Sequence, residues 1–151
     1  MDNNNFFKQE FTPPTAFYFL LNFKGFNEMD CAFQEVSGLN VTLSTEKIGE
    51  GGNNRFVHQL PTAPKYENLV LKRCLSYNSK LETWCRDAFE RLKFNPKDIK
   101  LSLLDANGGI LASWTISQAY PISWELAQLN RTSDQLAIES LTLKYRLFRK
   151  D

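Results

Sequence analysis

The class of fold is decided by the stretch IKLSLLDANGGILASWTI, residues 99–116. Apolar side chains recur at every second position on both sides of Asp105–Gly109, which is the period of a strand with one buried face. A connection rich in Asp, Asn and Gly between two such runs is typical of a β-hairpin. The sequence therefore predicts an antiparallel hairpin here and a β-rich protein around it.

Other runs with the same period lie on both sides of the hairpin. Strands are predicted at 17–24, 32–36, 39–44, 69–73, 120–124 and 140–147. In the first run, Phe17, Phe19, Leu21 and Phe23 share the face that we expect to be well buried. Pro121 predicts an edge or bent strand, because proline cannot donate to a central ladder. The last run is predicted as one long strand.

One segment is typical of a helix. Ser79 is an N-cap candidate, and Glu82 three positions later completes a capping box. The apolar positions recur at spacings of three and four, which predicts one packed face over Leu81, Trp84, Cys85, Ala88, Phe89 and Leu92. The predicted fold is mainly β: a single antiparallel β-barrel or sandwich of about seven to eight strands with one flanking α-helix, Ser79 to Leu92.

Length and composition favour one folded domain. The 151 residues are 42% hydrophobic and 13% aromatic, which is enough to build a core. Residues 1–15 are polar and broken by prolines, so we expect a flexible N-terminal arm ahead of a single domain at 16–151. The net charge of +1 supplies no field for nucleic acid or an anionic membrane, so we expect no specific binding of either.

The chain shows no targeting or metal-binding signal. No apolar run reaches the roughly 18 residues that a membrane span needs, and the first residues lack a basic region. We therefore expect synthesis in the cytoplasm without a signal peptide. Cys31, Cys74 and Cys85 are odd in number and widely spaced, which predicts reduced thiols in or near the core and no zinc site.

No catalytic constellation is evident, and we expect neither enzymatic activity nor a cofactor. Gly49–Gly52 has the glycines of a phosphate-binding loop but lacks the strand before it, the helix after it and the Lys-Ser/Thr of a P-loop. His58 has no recognisable nucleophile. The densest basic cluster is Lys144, Arg146, Arg149 and Lys150, which we interpret as a solvated strand face or, if the chain forms a channel, as part of its lining.

The segment from Glu46 to Lys65 lacks strand periodicity and is predicted as a long loop. A loop of about 20 residues is unusual in a compact domain and usually has a function. Its apolar anchors are few, and Phe56 is the largest of them. We expect this loop to hold neighbouring subunits together rather than to stabilise its own domain.

Four motifs together resemble the tail-tube family of contractile phages and extracellular contractile injection systems. They are Phe33–Leu39, Glu50–Pro61, Lys65–Arg73 and Ala119–Pro121, and the resemblance runs from about Ala16 to Phe148. It implies a β-barrel subunit that forms six-membered rings, which stack into a hollow tube inside a contractile sheath. The Glu-Gly-Gly and Leu-Pro motifs resemble the tube-initiating ring next to the baseplate more than the shaft.

The resemblance also implies partners and a contact site. The partners would be further copies of the chain in a homo-hexamer, other tube paralogues, and sheath and baseplate proteins of the assembled particle. The intersubunit contacts would come from Glu50, Gly51, Gly52, Asn54, Arg55, Phe56 and His58. Two other classes stay open from the residues alone: a monomeric barrel that uses residues 46–65 as a ligand lid, and a small hydrolase.

Overall fold

The structure, a computed structural model, describes residues 17–23, 31–49, 57–76, 79–126 and 138–151. These residues form eleven strands and one helix. In chain order the elements are β1 Phe17–Phe23, β2 Cys31–Ser37, β3 Val41–Thr42, β4 Thr45–Gly49, β5 Val57–Pro61, β6 Lys65–Tyr66, β7 Leu69–Ser76, α1 Ser79–Glu90, β8 Lys97–Asp105, β9 Ile110–Leu126, β10 Ile138–Lys144 and β11 Leu147–Lys150.

Seven of the strands form one antiparallel sheet. Its order is β10-β7-β2-β1-β8-β9-β11, and a further pairing of β10 with β9 closes the hydrogen bonding into a ring. Strand β11 branches from β9 outside that ring. The predicted mainly β class with one helix is therefore confirmed, as a sheet with ring-like bonding rather than a regular barrel.

The predicted hairpin is confirmed as β8 and β9, with Leu101 opposite Trp114. The Asp105 carboxylate fixes the turn, because its Oδ1 accepts hydrogen bonds from the N–H groups of Asn107 at 2.9 Å and Gly109 at 2.8 Å. This side chain satisfies two donors that the turn leaves without strand partners. The short polar sequence of the turn is sufficient to specify it.

The main core lies on one face of the sheet, against α1. It includes Leu21, Phe33, Leu71, Leu81, Leu101 and Leu141. The opposite face of β1 is buried as well, since Tyr18 packs with Ala32 and Leu104 in a second cluster. The expectation that one face of β1 would be well buried is incomplete for this reason, and Phe17, placed on that face, is exposed.

Strand β9 is long enough to serve two neighbours in turn. Its first part pairs with β8 and β11, whereas residues 120–126 pair with β10 alone among the described strands. The change of partner follows Gln118, whose φ is 55° and whose N–H donates to Asp98 Oδ1 at 3.0 Å. The predicted edge strand at Pro121 is this second part, with a register shift beside it.

Two predicted strands differ in extent from the observed strands. The long last strand is two strands, because the chain breaks at Tyr145 and Arg146 opposite the left-handed Gln118. The strand predicted at 39–44 shrinks to Val41–Thr42.

The helix also ends earlier than predicted. It stops at Glu90, followed by a left-handed Leu92, and the Lys93 N–H donates to the Asp87 carbonyl at 3.0 Å. Leu81, Trp84, Cys85 and Ala88 are buried as expected. The last two members of the predicted stripe, Phe89 and Leu92, are exposed. Leu92 lies beyond the helix in the left-handed conformation, whereas Phe89, in the last turn, stacks on Trp124 with ring centroids 6.3 Å apart.

Candidate intersubunit surface

Residues 39–49 and 57–67 form a ribbon that we call the arm. Within it β3 pairs with β6 and β4 pairs with β5, both antiparallel, in two small sheets separate from the main one. The prediction of a long loop from Glu46 to Lys65 is therefore wrong for β4, β5 and β6. Hydrogen bonds from the Thr62 N–H and hydroxyl to the Ser44 carbonyl, at 2.7 and 2.8 Å, connect the two small sheets.

The base of the arm is fixed to the core at Gly38. This residue has a φ of 93°, and a Cβ atom there would lie 1.8 Å from the Asn68 carbonyl oxygen. The Tyr145 hydroxyl donates to the Gly38 carbonyl at 3.2 Å. Only glycine allows the two backbones at the root of the arm to approach this closely.

Three aromatic rings pack together around β6, the last strand of the arm. Tyr66 of β6 meets Tyr145 and Phe148 edge to face, with centroid separations of 5.9 and 5.5 Å. Burial, followed by the neighbouring Tyr66 and Glu67, raises the pKa of Tyr145 to about 12. Tyr145 therefore keeps its proton, and can donate this hydrogen bond, at alkaline pH values at which an exposed tyrosine is ionised.

Beyond this base the arm exposes apolar side chains. Leu43 is 63% exposed, Leu60 is 49% exposed, and Val41 is also largely accessible. Strands β4 and β5 pair with each other and with no other described strand. An isolated two-stranded ribbon is marginal in water, so this arm has the chemistry of an element that is stabilised by a neighbouring molecule.

Of the seven predicted contact residues the structure describes one. Glu50, Gly51, Gly52, Asn54, Arg55 and Phe56 fall outside the described residues, between β4 and β5. His58 lies in β5, in register with Ile48. The ends of β4 and β5 bring the two sides of this segment together, at Gly49 opposite Val57.

Sequence reasoning missed the apolar residues of the arm. The alternation predicts a strand at 39–44 in which Leu39, Val41 and Leu43 share one face, but only Leu39 packs against the core. The signal was present as a short alternating run beside Gly38. It could not show that the face is exposed, because alternation reports which residues share a face and not what covers that face.

A polar cluster on β8 and β9 is organised around Asp151. Its carboxylate accepts hydrogen bonds from the Ser113 and Thr115 hydroxyls at 2.9 and 2.8 Å, and Lys100 Nζ lies 3.8 Å away. The hydroxyl of Thr115, then that of Ser113, and the charge of Lys100 lower the pKa of Asp151. The predicted basic cluster is also exposed: Lys144, Arg146, Arg149 and Lys150.

The cysteine prediction is confirmed for the free thiols. Cys31 and Cys85 are buried and Cys74 is half-buried, all three without a disulfide. Burial, with a smaller contribution from Cys31, raises the pKa of Cys85 to about 12. Within the described ranges no cluster of His, Cys, Asp or Glu has the arrangement of a metal site. The described part of the chain also contains no helix long and apolar enough to cross a membrane.

Comparison with known proteins gives a family match over nearly the whole chain. Residues 15–149 match the model of the family described as T4-like virus tail tube protein gp19. A comparison with curated protein sequences gives no significant match.

Solved structures agree with this match. A chain of the anti-feeding prophage baseplate is 28% identical, with a TM-score of 0.67, over 93% of this chain and 97% of that one. A chain of the prophage's tube-terminating cap is 25% identical, with a TM-score of 0.61, over 95% and 92%. A chain of the sheath-tube complex of an extracellular contractile injection system shares the fold at 22% identity, with a TM-score of 0.64, over 100% and 98%.

Proposed function

The chain belongs to the T4-like virus tail tube protein gp19 family, and from that premise we propose that it is a structural subunit of the inner tube of a phage tail or contractile injection system. Its role is mechanical: subunits join into a rigid conduit through which cargo passes when the sheath contracts. Binding energy is stored in the interfaces and no chemical step is required, so the proposal includes no enzymatic activity and no cofactor.

The observation that carries this proposal is the arm. A ribbon with exposed Leu43 and Leu60 is firmly anchored at Gly38 but pairs with nothing else in the described chain beyond its base. Burying these side chains against a neighbour would remove apolar surface from water at roughly 25 cal/mol per Å². An element that is fixed at its base and exposes apolar side chains beyond it is what we expect of an intersubunit clamp.

We propose a homo-hexameric ring that stacks on further rings, with tube paralogues, sheath and baseplate proteins as additional partners. A cyclic ring uses one heterologous interface repeated around an axis, so a single arm per subunit is sufficient to close it. The solved relatives come from baseplate, tube, sheath and cap assemblies. That these relatives occur in such assemblies supports a place for this chain in an assembled tail or tail-like particle.

Within that particle we propose the tube-initiating ring next to the baseplate rather than the shaft. Identity is 28% to the chain from the prophage baseplate and 22% to the chain from the sheath-tube complex. The sequence motifs Glu-Gly-Gly at 50–52 and Leu-Pro at 60–61 favour the same position. The shaft ring remains the alternative place in the same tube.

At the end of the arm we propose that Glu50, Gly51, Gly52, Asn54, Arg55, Phe56 and His58 contact the adjacent subunit. Arg55 would pair with a carboxylate there, and Phe56 would be the aromatic anchor. Residues 1–15 would be ordered by a neighbouring subunit. Residues 16–151 would form the single domain to which this N-terminal segment and the arm belong. These assignments extend the described base of the arm outward.

A monomeric barrel that uses residues 46–65 as a ligand lid is the competing proposal. The described geometry favours it less, because β4 and β5 pair with each other instead of folding over a cavity. The described cavities of about 360 and 230 Å³ are lined by residues of other elements. A lid would also have to open, whereas the root of this arm is fixed by backbone contacts.

The arm is tested by replacing Leu43 and Leu60 together with serine. We expect ring formation to weaken by on the order of 1 to 4 kcal/mol per contact, since truncating buried interface anchors has effects of this size. The fold should be retained, because both side chains are exposed in the subunit. Native mass spectrometry reports the assembly and thermal unfolding reports the fold.

The matched control is Ile110→Ser. Ile110 is 64% exposed, close to the 63% of Leu43, but it belongs to the β8–β9 hairpin and not to the arm. Its replacement should leave assembly within a factor of about three, because scattered surface apolar residues contribute little. Equal assembly of the double variant and the control would refute the role of the arm, and so would a double variant that unfolds.

A further inference from the structure

A group of exposed apolar side chains lies at the end of α1, outside the arm. Leu92 and Phe94 are more than half exposed, and Phe89 is exposed to a smaller extent. The Phe89 ring stacks on Trp124 with centroids 6.3 Å apart. The Phe94 ring meets Tyr120 edge to face at 6.0 Å. We call these five residues the aromatic patch, and because both ring contacts are made to β9, the patch has a fixed place on the sheet.

The patch carries a positive charge at its exposed end. Lys93 lies between Leu92 and Phe94 in the chain and is exposed. The nearby acidic residues of α1, Asp87 and Glu90, each approach an arginine of the same helix, at 3.2 and 3.9 Å. Lys93 forms no ion pair with any residue that the structure describes. An acidic group on a docking surface would therefore find a cation here.

The arm has one face of matching chemistry. Glu46 of β4 is in register with Leu60 of β5, and directly opposed residues of an antiparallel pair project to the same side. Both side chains are exposed. Glu46, like Lys93, has no ion-pair partner in the described ranges of the chain. This face presents an aliphatic side chain beside a negative charge, whereas the patch presents apolar side chains beside a positive one.

A different group of exposed apolar residues fits the arm less well. Phe17, Ile110 and Leu111 are exposed near the β8–β9 turn. Phe17 is in register with Asp105, so a docked Glu46 would meet a like charge there. Like charges that face each other across an interface disfavour the contact. Charge complementarity therefore favours the patch at the end of α1.

We propose that the arm face with Leu60 and Glu46 docks on the aromatic patch of the next subunit in the ring, which presupposes the proposed tube function. Leu60 would cover Leu92 and Phe94, and the Glu46 carboxylate would pair with the Lys93 ammonium group. A head-to-tail interface uses two different surfaces on each subunit. The arm supplies one of them and the patch supplies the other, so every subunit of a closed ring has both surfaces occupied.

Mixing two variants of the full chain tests this pairing. The arm variant carries Leu43→Ser with Leu60→Ser, and the patch variant carries Leu92→Asn with Phe94→Ser. We expect each variant alone to form rings at least about tenfold less well than the parent chain, because interface anchors are lost. An equal mixture at high concentration should give heterodimers, since one intact arm then meets one intact patch. Native mass spectrometry distinguishes them from either homodimer by mass.

The patch variant should keep its fold. Leu92 and Phe94 are more than half exposed, and asparagine accepts the left-handed conformation of residue 92 better than most residues do. Thermal unfolding of each variant checks this expectation.

Charge reversal tests the contact between Glu46 and Lys93. Lys93→Glu should lower ring formation by roughly three- to tenfold, because two carboxylates would then face each other. Adding Glu46→Lys should restore it to within about threefold of the parent chain. The matched control is Lys150, an exposed lysine of β11 outside the patch. Lys150→Glu should not restore ring formation to Glu46→Lys.

Three results would overturn this inference and leave the proposed tube function standing. Rings of normal yield from the patch variant would assign the patch to another partner. A mixture of folded variants without an excess of heterodimer would show that the arm docks elsewhere. A charge swap that restores nothing would exclude the pairing of Glu46 with Lys93, and it decides alone if the patch variant unfolds. A parent chain that forms no rings would overturn both the inference and the proposed function.

Discussion

Among single residues, Gly38 is the position at which the arm is most tightly constrained against the sheet. Its carbonyl receives the Tyr145 hydroxyl, its φ is 93°, and its α-carbon faces the Asn68 backbone. We expect Gly38→Ala to lower the free energy of unfolding by on the order of 3 kcal/mol or more, because the backbone must move to admit a Cβ atom. Chemical denaturation measures the change.

The control for Gly38 is Gly108→Ala. Gly108 has a similar φ of 83° but lies in the β8–β9 turn. It should cost about 1 to 2 kcal/mol, the penalty of the left-handed conformation alone. If the two variants are equally stable, the close approach at the root of the arm is not a constraint on the fold.

Tyr145 makes the root of the arm sensitive to alkaline pH. Its pKa is raised from 10.0 to about 12, so the unfolded chain loses the hydroxyl proton at lower pH than the folded protein does. The stabilisation is fully present below pH 10 and is lost as pH rises to about 12. We expect the free energy of unfolding to fall over this window and to fall less steeply in Tyr145→Phe. Identical slopes for the two proteins would contradict the assignment.

At the scale of elements, the sequence anticipated those that bury a face in their own subunit. The β8–β9 hairpin and the start of α1 were predicted because the Asp105 turn and the Ser79 capping box are local signals. Strands β4 and β5 were missed for the converse reason. Their backbones are paired, but apolar alternation in a sequence arises only where one face of a strand is buried. Glu46, Lys47 and Leu60 are exposed, so these strands show no such alternation.

The ends of two elements could not be predicted from the sequence patterns either. Apolar alternation continues through Tyr145 and Leu147, although the strand is broken there opposite the left-handed Gln118. The helical period likewise continues to Leu92, although the helix ends at Glu90. Both interruptions are set by non-glycine residues with positive φ, a conformation that their side chains disfavour. Tertiary contacts, such as the hydrogen bond from Gln118 to Asp98, impose it.

At the scale of the whole molecule, the domain presents several distinct surfaces. The arm leaves the sheet at Gly38, the aromatic patch lies at the end of α1, and the polar cluster around Asp151 lies on β8 and β9. The contact residues between 50 and 58 are predicted from the sequence, because the motif at 50–61 resembles a known family, and they stay a prediction. The apolar base of the arm and the aromatic patch required the fold, since their residues come together from distant parts of the chain.

Electron microscopy of the purified full chain, combined with native mass measurement, shows whether this protein is a tube subunit. We expect annular particles with a central hole, stacked in part into tubes, with a native mass six times that of one chain. Baseplate components should increase the yield of rings if this is the initiating ring. Monomers alone, at high protein concentration and with those components supplied, would show that the protein is not a tube subunit.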